Sequence, residues 1–352
     1  RFGVKTGTRV FDARRMCPEI VFVEARHAEY IHFHHRLVAA IDTCIPVDSV
    51  LSIDEMSCSL TGSWRDETKA RAVAEQVKQA VAKVGSMTCS IGVAPNPFLA
   101  KMASKMNKPD GITIIRQNDL PQALCRVPLG ELHGIGRRME DRLRQCGIAT
   151  VAELYTASRE TLRRIWGGVE GERMYDELRG KIVQRPETTR SSIGHSHVLP
   201  PYLRRDDKAL AVLHRLLQKA AWRLRHMEYE AGGLSLQLRY RGEGSWLAQE
   251  QFSPTQDTLQ LLRLLRQMWA QRPRGRTLLA VGVTLNNLVP AMYCTPDLFS
   301  QQEDRSGLNQ AMDELNRRYG SHTLYFGGAH EAREAAPMRI AFTQIPDPRM
   351  EQ

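Results

Sequence analysis

The sequence predicts an α+β protein built of successive modules, and three observations carry that prediction. β-prone runs alternate with amphipathic helical stretches over the first third of the chain. Short helices punctuated by glycine fill the next stretch. A strand, helix, strand, strand, helix, strand order then occupies residues 192–290, a compact module in its own right. The 352 residues leave room for two or three domains of ordinary size.

Taken in order, Glu19–Ala25 (EIVFVEA) reads as a short strand and Glu29 to Ile41 as a helix. Val50–Asp54 (VLSID) is the next strand, with a hairpin partner ending near Leu60. From Asp66 to Val84, the apolar Ala70, Val73, Ala74, Val77, Val81 and Val84 recur at helical spacing. Met87–Ala94 is a strand, Pro97–Met106 a helix opened by proline, and Gly111–Ile115 a further strand. This mixture predicts one sheet with helices on one face. Residues 116–185 carry the short helices, and Arg185–Ser192 is a polar, basic linker. Beyond it come strand Ser192–Leu199, helix Asp207–His226, strands Leu234–Tyr240 and Ser245–Phe252, helix Thr255–Gln271 and strand Leu278–Leu285. An amphipathic helix at Leu308–Tyr319 precedes a tail without assigned structure.

A net charge of +10 and a pI near 9.4 accompany an ordinary hydrophobic fraction of 42%. That describes a folded protein with a polyanionic partner rather than a disordered basic tail. No apolar run approaches the roughly 20 residues of a membrane span, and no secretory leader is visible. The seven cysteines (Cys17, Cys44, Cys58, Cys89, Cys125, Cys146, Cys294) show no paired spacing. They suggest neither zinc nor a disulfide framework, which points to a reducing cytoplasm. The opening RFGVKTG reads as mid-domain sequence, so the expected start lies upstream of Arg1.

Three stretches carry chemistry. Asp54 and Glu55 adjoin at the end of an apolar strand with no neighbouring Lys or Arg. Such a pair is either a cation site or an ordinary solvated turn. Glu131–Leu154 holds a Gly134-Ile135-Gly136 turn before a basic helix and a second turn at Gly147. This helix-hairpin-helix pattern brings backbone N–H groups, with Arg137 and Arg138, against a DNA phosphate. In Cys89–Ile114, Lys101 lies within a helix whose Phe98, Leu99 and Met102 face the core. Lys108 follows in a turn held by Pro109 and Gly111, where an ammonium group suits a triphosphate or is simply solvated. His32, His34 and His35 are expected on an exposed helix surface rather than at a metal, and Trp222 in the core.

In this order, SIDE, SIGVAPNPFLAKMASKMNKPDGI and LHGIGRRMEDRLRQCGI resemble the Y-family translesion DNA polymerases of the bacterial DinB/UmuC type. RFGVKTGTRVFDARRMCPEIVFV is similar to that family's finger-to-palm stretch, and SSIGHSHVLPP to the opening strand of its little finger. The resemblance implies partial fingers at 1–27, a ferredoxin-like palm lacking its first strand at 28–115 and a helix-hairpin-helix thumb at 116–185. A linker at 186–191, a little finger at 192–290 and a C-terminal extension at 291–352 complete the implied layout. It further implies nucleotidyl transfer from deoxynucleoside triphosphates to a primer 3′-end on damaged template, with two Mg2+ ions. Asp54 would bridge the metals, Glu55 hold the one activating the hydroxyl, and Lys108 contact the triphosphate. Arg190, Arg239 and Arg241 would track the template, in a cytoplasmic, nucleoid-associated bacterial enzyme.

The sequence departs from the family in places. Met56-Ser57-Cys58-Ser59 stands where Ala-Tyr-Leu-Asp is usual. The strand supplying a further metal-binding aspartate and the sugar gate is expected before Arg1, so the stretch beginning there is expected to be inactive by itself. Thr295–Phe299 (TPDLF) stands where a sliding-clamp peptide is usual, with Leu298 and Phe299 as its anchors and Thr295 replacing glutamine. A non-catalytic DNA- and clamp-binding adaptor is the alternative reading, and a helix-hairpin-helix nuclease a third.

Overall fold

The structure, a computed structural model, describes residues 2–186, 190–242, 244–294, 305–320 and 323–335. They fall into two compact units, one of residues 2–90 and 108–112, the other of residues 91–107 and 113–335.

The first unit contains α1 (Val10–Met16), α2 (His27–Asp42), the hairpin β1 (Ser49–Ser52) and β2 (Glu55–Ser57), and α3 (Glu67–Gly85). α3 starts where the Asp66 carboxylate accepts the N–H groups of Thr68 and Lys69, at 3.1 and 3.3 Å. It stops at Ser86, which takes a left-handed φ of 55°. Its buried stripe is the expected one, Ala70, Val73, Ala74, Val77 and Val81, and it packs on α2. Arg36 of α2 donates to the Val84 carbonyl at 2.8 Å. The expected strand at Glu19–Ala25 does not form: the run is irregular, and Val21 and Val23 are exposed. Its β-branched composition favours extended backbone, but a strand exists only with a ladder partner, and none is present among the described residues.

In the second unit, β3 (Ile91–Val93) pairs with β4 (Ile112–Ile114), and α4 (Pro97–Met106) lies between them in sequence. Gly92 is required here. A Cβ would fall 1.9 Å from the Ala100 carbonyl oxygen, so α4 packs directly on the strand backbone. The expected single sheet is instead two hairpin-sized sheets, β1-β2 and β3-β4, because no described strand bridges their edges.

Four short helices follow, α5 (Arg137–Gln145), α6 (Val151–Thr156), α7 (Arg159–Trp166) and α8 (Val169–Leu178). Their core includes Leu143, Leu154, Leu162 and Leu178 with Leu99 and Met102 of α4. Thr150 and Glu153 form a capping box at α6. Asn96 caps α4 and also donates to the Glu177 and Lys181 carbonyls at 2.8 and 2.9 Å, joining α4 to the end of α8.

The last module is an antiparallel sheet of order β5-β8-β6-β7, from β5 (Ser192–Val198), β6 (Tyr229–Tyr240), β7 (Ser245–Thr255) and β8 (Leu278–Pro290). α9 (Asp206–His226) and α10 (Thr258–Ala270) bury an apolar core against one face. β6, β7 and β8 run longer than the sequence suggested, by residues 229–233, 253–255 and 286–290, whereas β5 stops one residue sooner. Trp222 is half-buried and stacks on His226, with ring centroids 5.4 Å apart, rather than entering the core. α11 (Ser306–Tyr319) is pinned to α9 by a bidentate Arg225–Asp313 pair at 2.6 and 2.7 Å. The tail left unassigned from sequence forms a 3-10 turn over Gly327–Ala332, with Phe326 N–H bonded to Gln218 at 2.8 Å. No helix among the described residues is long and apolar enough to cross a membrane.

Candidate active site and nucleic-acid interface

The acid pair sits on the β1-β2 hairpin. Ser52 pairs with Glu55, so Ile53 and Asp54 form a two-residue turn. Ile53 points inward at 8% exposure, which leaves Asp54 facing out. The Ser52 hydroxyl donates to Asp54 Oδ1 at 2.7 Å and fixes the carboxylate without neutralising it. Glu55 opens β2 and is half-buried. Asp54 therefore lies in the turn and Glu55 on the strand. Close by in sequence, burial pushes the Cys58 thiol up to about 11, helped by Asp48 and Asp42, so it stays protonated.

Two adjoining hard oxygen donors fit a divalent cation that keeps water and takes substrate phosphate oxygens as its remaining ligands. No group of three or more His, Cys, Asp or Glu suited to a metal occurs among the described residues. The histidines of α2 divide. His32 and His35 are exposed as expected, whereas His34 is 3% exposed and its Nδ1 meets the Ile53 carbonyl at 2.7 Å. That correction has a helical origin: position 34 is one turn past the fully buried Ile31 and shares its inward face.

Lys108 belongs to the same compact unit as the acids and is exposed in the turn after α4. The turn is held by its neighbours. Lys78 of α3 pairs with Asp110 at 2.8 Å, and Gly111 N–H reaches Ser90 Oγ at 3.4 Å. Lys101 is half-buried on α4.

In the second unit, Gly134 has φ +85°, a conformation that favours glycine. Leu132 and Ile135 anchor the turn from below at 2% and 3% exposure. Gly136 caps α5, and nothing lies within 4 Å of where its Cβ would stand. Arg137 and Arg138 are exposed at the first two helical positions. Positive charge there opposes the helix dipole and is relieved by an external anion. Lys105 of α4 lines the same shallow concavity as Gly130–Gly136.

On the sheet, Arg239 projects from the face opposite the helices, level with Ser245 and Ala280, and Arg241 is exposed just beyond β6. Arg190 is half-buried at the approach to β5. The open face also carries rows the sequence reading missed. Gly194, Thr284, Ser235 and Gln249 lie side by side, and so do Ser196, Gly282, Gln237 and Leu247. Gly194, Ser196, Ser235 and Gly282 in these rows are small and let a ligand approach the sheet closely; in the sequence Gly194 and Ser196, and likewise Gly282 and Thr284, fall two positions apart. Leu298 and Phe299 lie outside the described residues.

Comparison with known proteins agrees with this architecture. Residues 1–105 match the impB/mucB/samB family, 190–298 its C-terminal domain, and 130–181 the thumb domain of DNA polymerase-iota. DNA polymerase IV of Moorella thermoacetica is 34% identical over 92% of this chain and 82% of its own length. DNA polymerase IV 1 of Bacillus subtilis is 28% identical over 97% of this chain and 84% of its own. A solved Y-family DNA polymerase chimera built on Dbh superposes with a TM-score of 0.68 at 23% identity, covering 82% of this chain and 84% of that one. At that identity the superposition speaks for the fold. The chain belongs to the Y family of translesion DNA polymerases, in its DinB-like branch.

Proposed function

We propose that this protein is a DNA-directed DNA polymerase of the translesion type, with Asp54 and Glu55 as its cation-holding acids. Family membership carries the reaction class, nucleotidyl transfer, together with dependence on divalent metal and the partners DNA and deoxynucleoside triphosphate. The observation that carries the site is the Asp54 carboxylate, held outward by Ser52 on a short turn beside Glu55. Held by Asp54 and Glu55, two Mg2+ ions would lower the pKa of the primer 3′-hydroxyl and neutralise charge on the triphosphate.

The chain's own residues do the positioning. Asp54 and Glu55 supply hard oxygens, and Lys108 offers a point charge to the triphosphate from a braced turn. Gly134 and Gly136, with Arg137 and Arg138, take a DNA phosphate at the start of α5. Arg190, Arg239 and Arg241 add charge along the template. The same reading assigns partial fingers to 1–27, palm to 28–115, thumb to 116–185, linker to 186–191, little finger to 192–290 and an extension to 291–352. Thr295–Phe299 is proposed from sequence as a sliding-clamp peptide, and the bacterial cytoplasm, at the nucleoid, as the working place.

The experiment is extension of a labelled primer on a template with an abasic site, with Mg2+ and deoxynucleotides, by the form that carries the upstream strand expected before Arg1. Template-dependent insertion supports the proposal. DNA binding without insertion under any divalent metal refutes it.

A further inference from the structure

We infer that His34 is a positioning residue for the catalytic turn: it grips the Ile53 carbonyl from α2 and locks the peptide that carries Asp54. This rests on the reading of Asp54 and Glu55 as the cation-holding acids.

The turn runs Ser52-Ile53-Asp54-Glu55, with Ser52 and Glu55 paired across it. Its central peptide joins Ile53 to Asp54. Turn types I and II, and their mirror images, differ by a flip of that central peptide. A flip swings the Ile53 carbonyl to the opposite side and re-aims the Asp54 backbone. Two-residue hairpin turns carry no bond of their own against this motion, because the hairpin bond joins the outer residues. Here the short bond comes from outside, with His34 Nδ1 2.7 Å from Ile53 O, beside a longer contact within the turn from Asp54 N–H to Ser52 Oγ at 3.4 Å. A carbonyl only accepts, so Nδ1 carries the proton and donates.

Two further observations support the assignment. His34 is 3% exposed and Ile53 8%, so the carbonyl has little access to water as a substitute partner. Burial also holds the imidazole below its ordinary pKa, with His35 acting in the same direction against the Ile53 bond. The neutral ring therefore keeps one N–H, and it is committed to this bond. Ser52 then acts on the far side of the locked peptide, holding Asp54 Oδ1. His34 supplies the short bond to the backbone, and Ser52 holds the side chain while also accepting the Asp54 N–H at 3.4 Å.

The test uses the full chain and two polar variants that differ in reach. In H34N the amide nitrogen stands where Nδ1 stood; in H34Q it extends toward the place of Nε2 and misses the carbonyl. Amide hydrogen exchange at Asp54 and Glu55 reads the turn directly. H34Q is expected to speed it about tenfold, the loss of one hydrogen bond, and H34N to stay within about twofold of the parent. Titration with Mn2+ alone reads the acids, and H34Q is expected to weaken binding about fivefold or more while H34N preserves it. Parent-like exchange in H34Q, or equal acceleration in both variants, overturns the inference. Mn2+ binding that is unchanged in D54N overturns the reading of the acids instead, whatever the exchange shows.

Discussion

Asn96 joins two elements through one side chain, and removing it should cost more than removing an ordinary helix cap. Its Oδ1 accepts the Leu99 N–H at 2.8 Å, and its Nδ2 donates to the Glu177 and Lys181 carbonyls at the end of α8. The residue is 4% exposed, so water does not replace it readily. Asn96→Ala forfeits the cap, about 1 kcal/mol. It also leaves two carbonyls without their donor, that of the half-buried Glu177 at about 1–3 kcal/mol and that of the exposed Lys181 at less than about 1 kcal/mol. The expected loss is about 2–5 kcal/mol, a large share of the 5–15 kcal/mol that usually stabilises a domain. Asn96→Asp dissects the sum. It keeps the cap but turns a carboxylate toward two carbonyl oxygens. Its folded-state pKa is therefore raised, so its deficit is full above that raised value and shrinks as pH falls from it toward the unfolded value. Urea melts at pH 7.5 and pH 5 measure both variants. A loss under about 1 kcal/mol for Asn96→Ala, with an Asn96→Asp deficit that does not change with pH, refutes the reasoning.

Other outcomes follow from the same geometry. Gly92→Ala drives a methyl to 1.9 Å from the Ala100 carbonyl oxygen, and thermal melts should show a loss of about 2 kcal/mol or more or a failure to fold. His195 and His214 both have pKa values lowered to about 4, by burial first and then by Lys219 with Arg223 and by Arg266. The unfolded chain takes up these protons first, so stability present above pH 6.5 is lost toward pH 4, by roughly 2–5 kcal/mol for the pair. Denaturation across that window should slope accordingly, and less steeply once His195 is replaced. Arg137→Ala with Arg138→Ala should weaken DNA binding on every sequence alike and lower the salt slope by about 1 per arginine, read by fluorescence anisotropy.

The helices were legible because their signals are local. Asp66 caps α3, its valines and alanines recur at helical spacing, and proline opens α4. The last module was legible as an order of elements, and its strand ends were not, since Gly232, Gly233, Pro254 and Pro290 in the missed extensions are poor strand signals. Glu19–Ala25 misled because β propensity is only an opportunity; pairing is decided by what lies alongside. At the site, the acid pair, Lys108 and the glycine hairpin stood out as residue types. Their supports did not: nothing in the string HFHHR says which histidine turns inward, or that it bonds to a carbonyl nineteen positions on. Long-range contacts of that kind become visible only when the helix face is known.

The central claim, that Asp54 and Glu55 hold the divalent cations for nucleotidyl transfer, is tested most directly by single-turnover insertion with Asp54→Asn in the form completed upstream of Arg1, a change that keeps shape and removes charge. A fall in rate of about a thousandfold or more, with primer-template affinity unchanged, is the predicted result. Insertion at the parent rate would contradict the account.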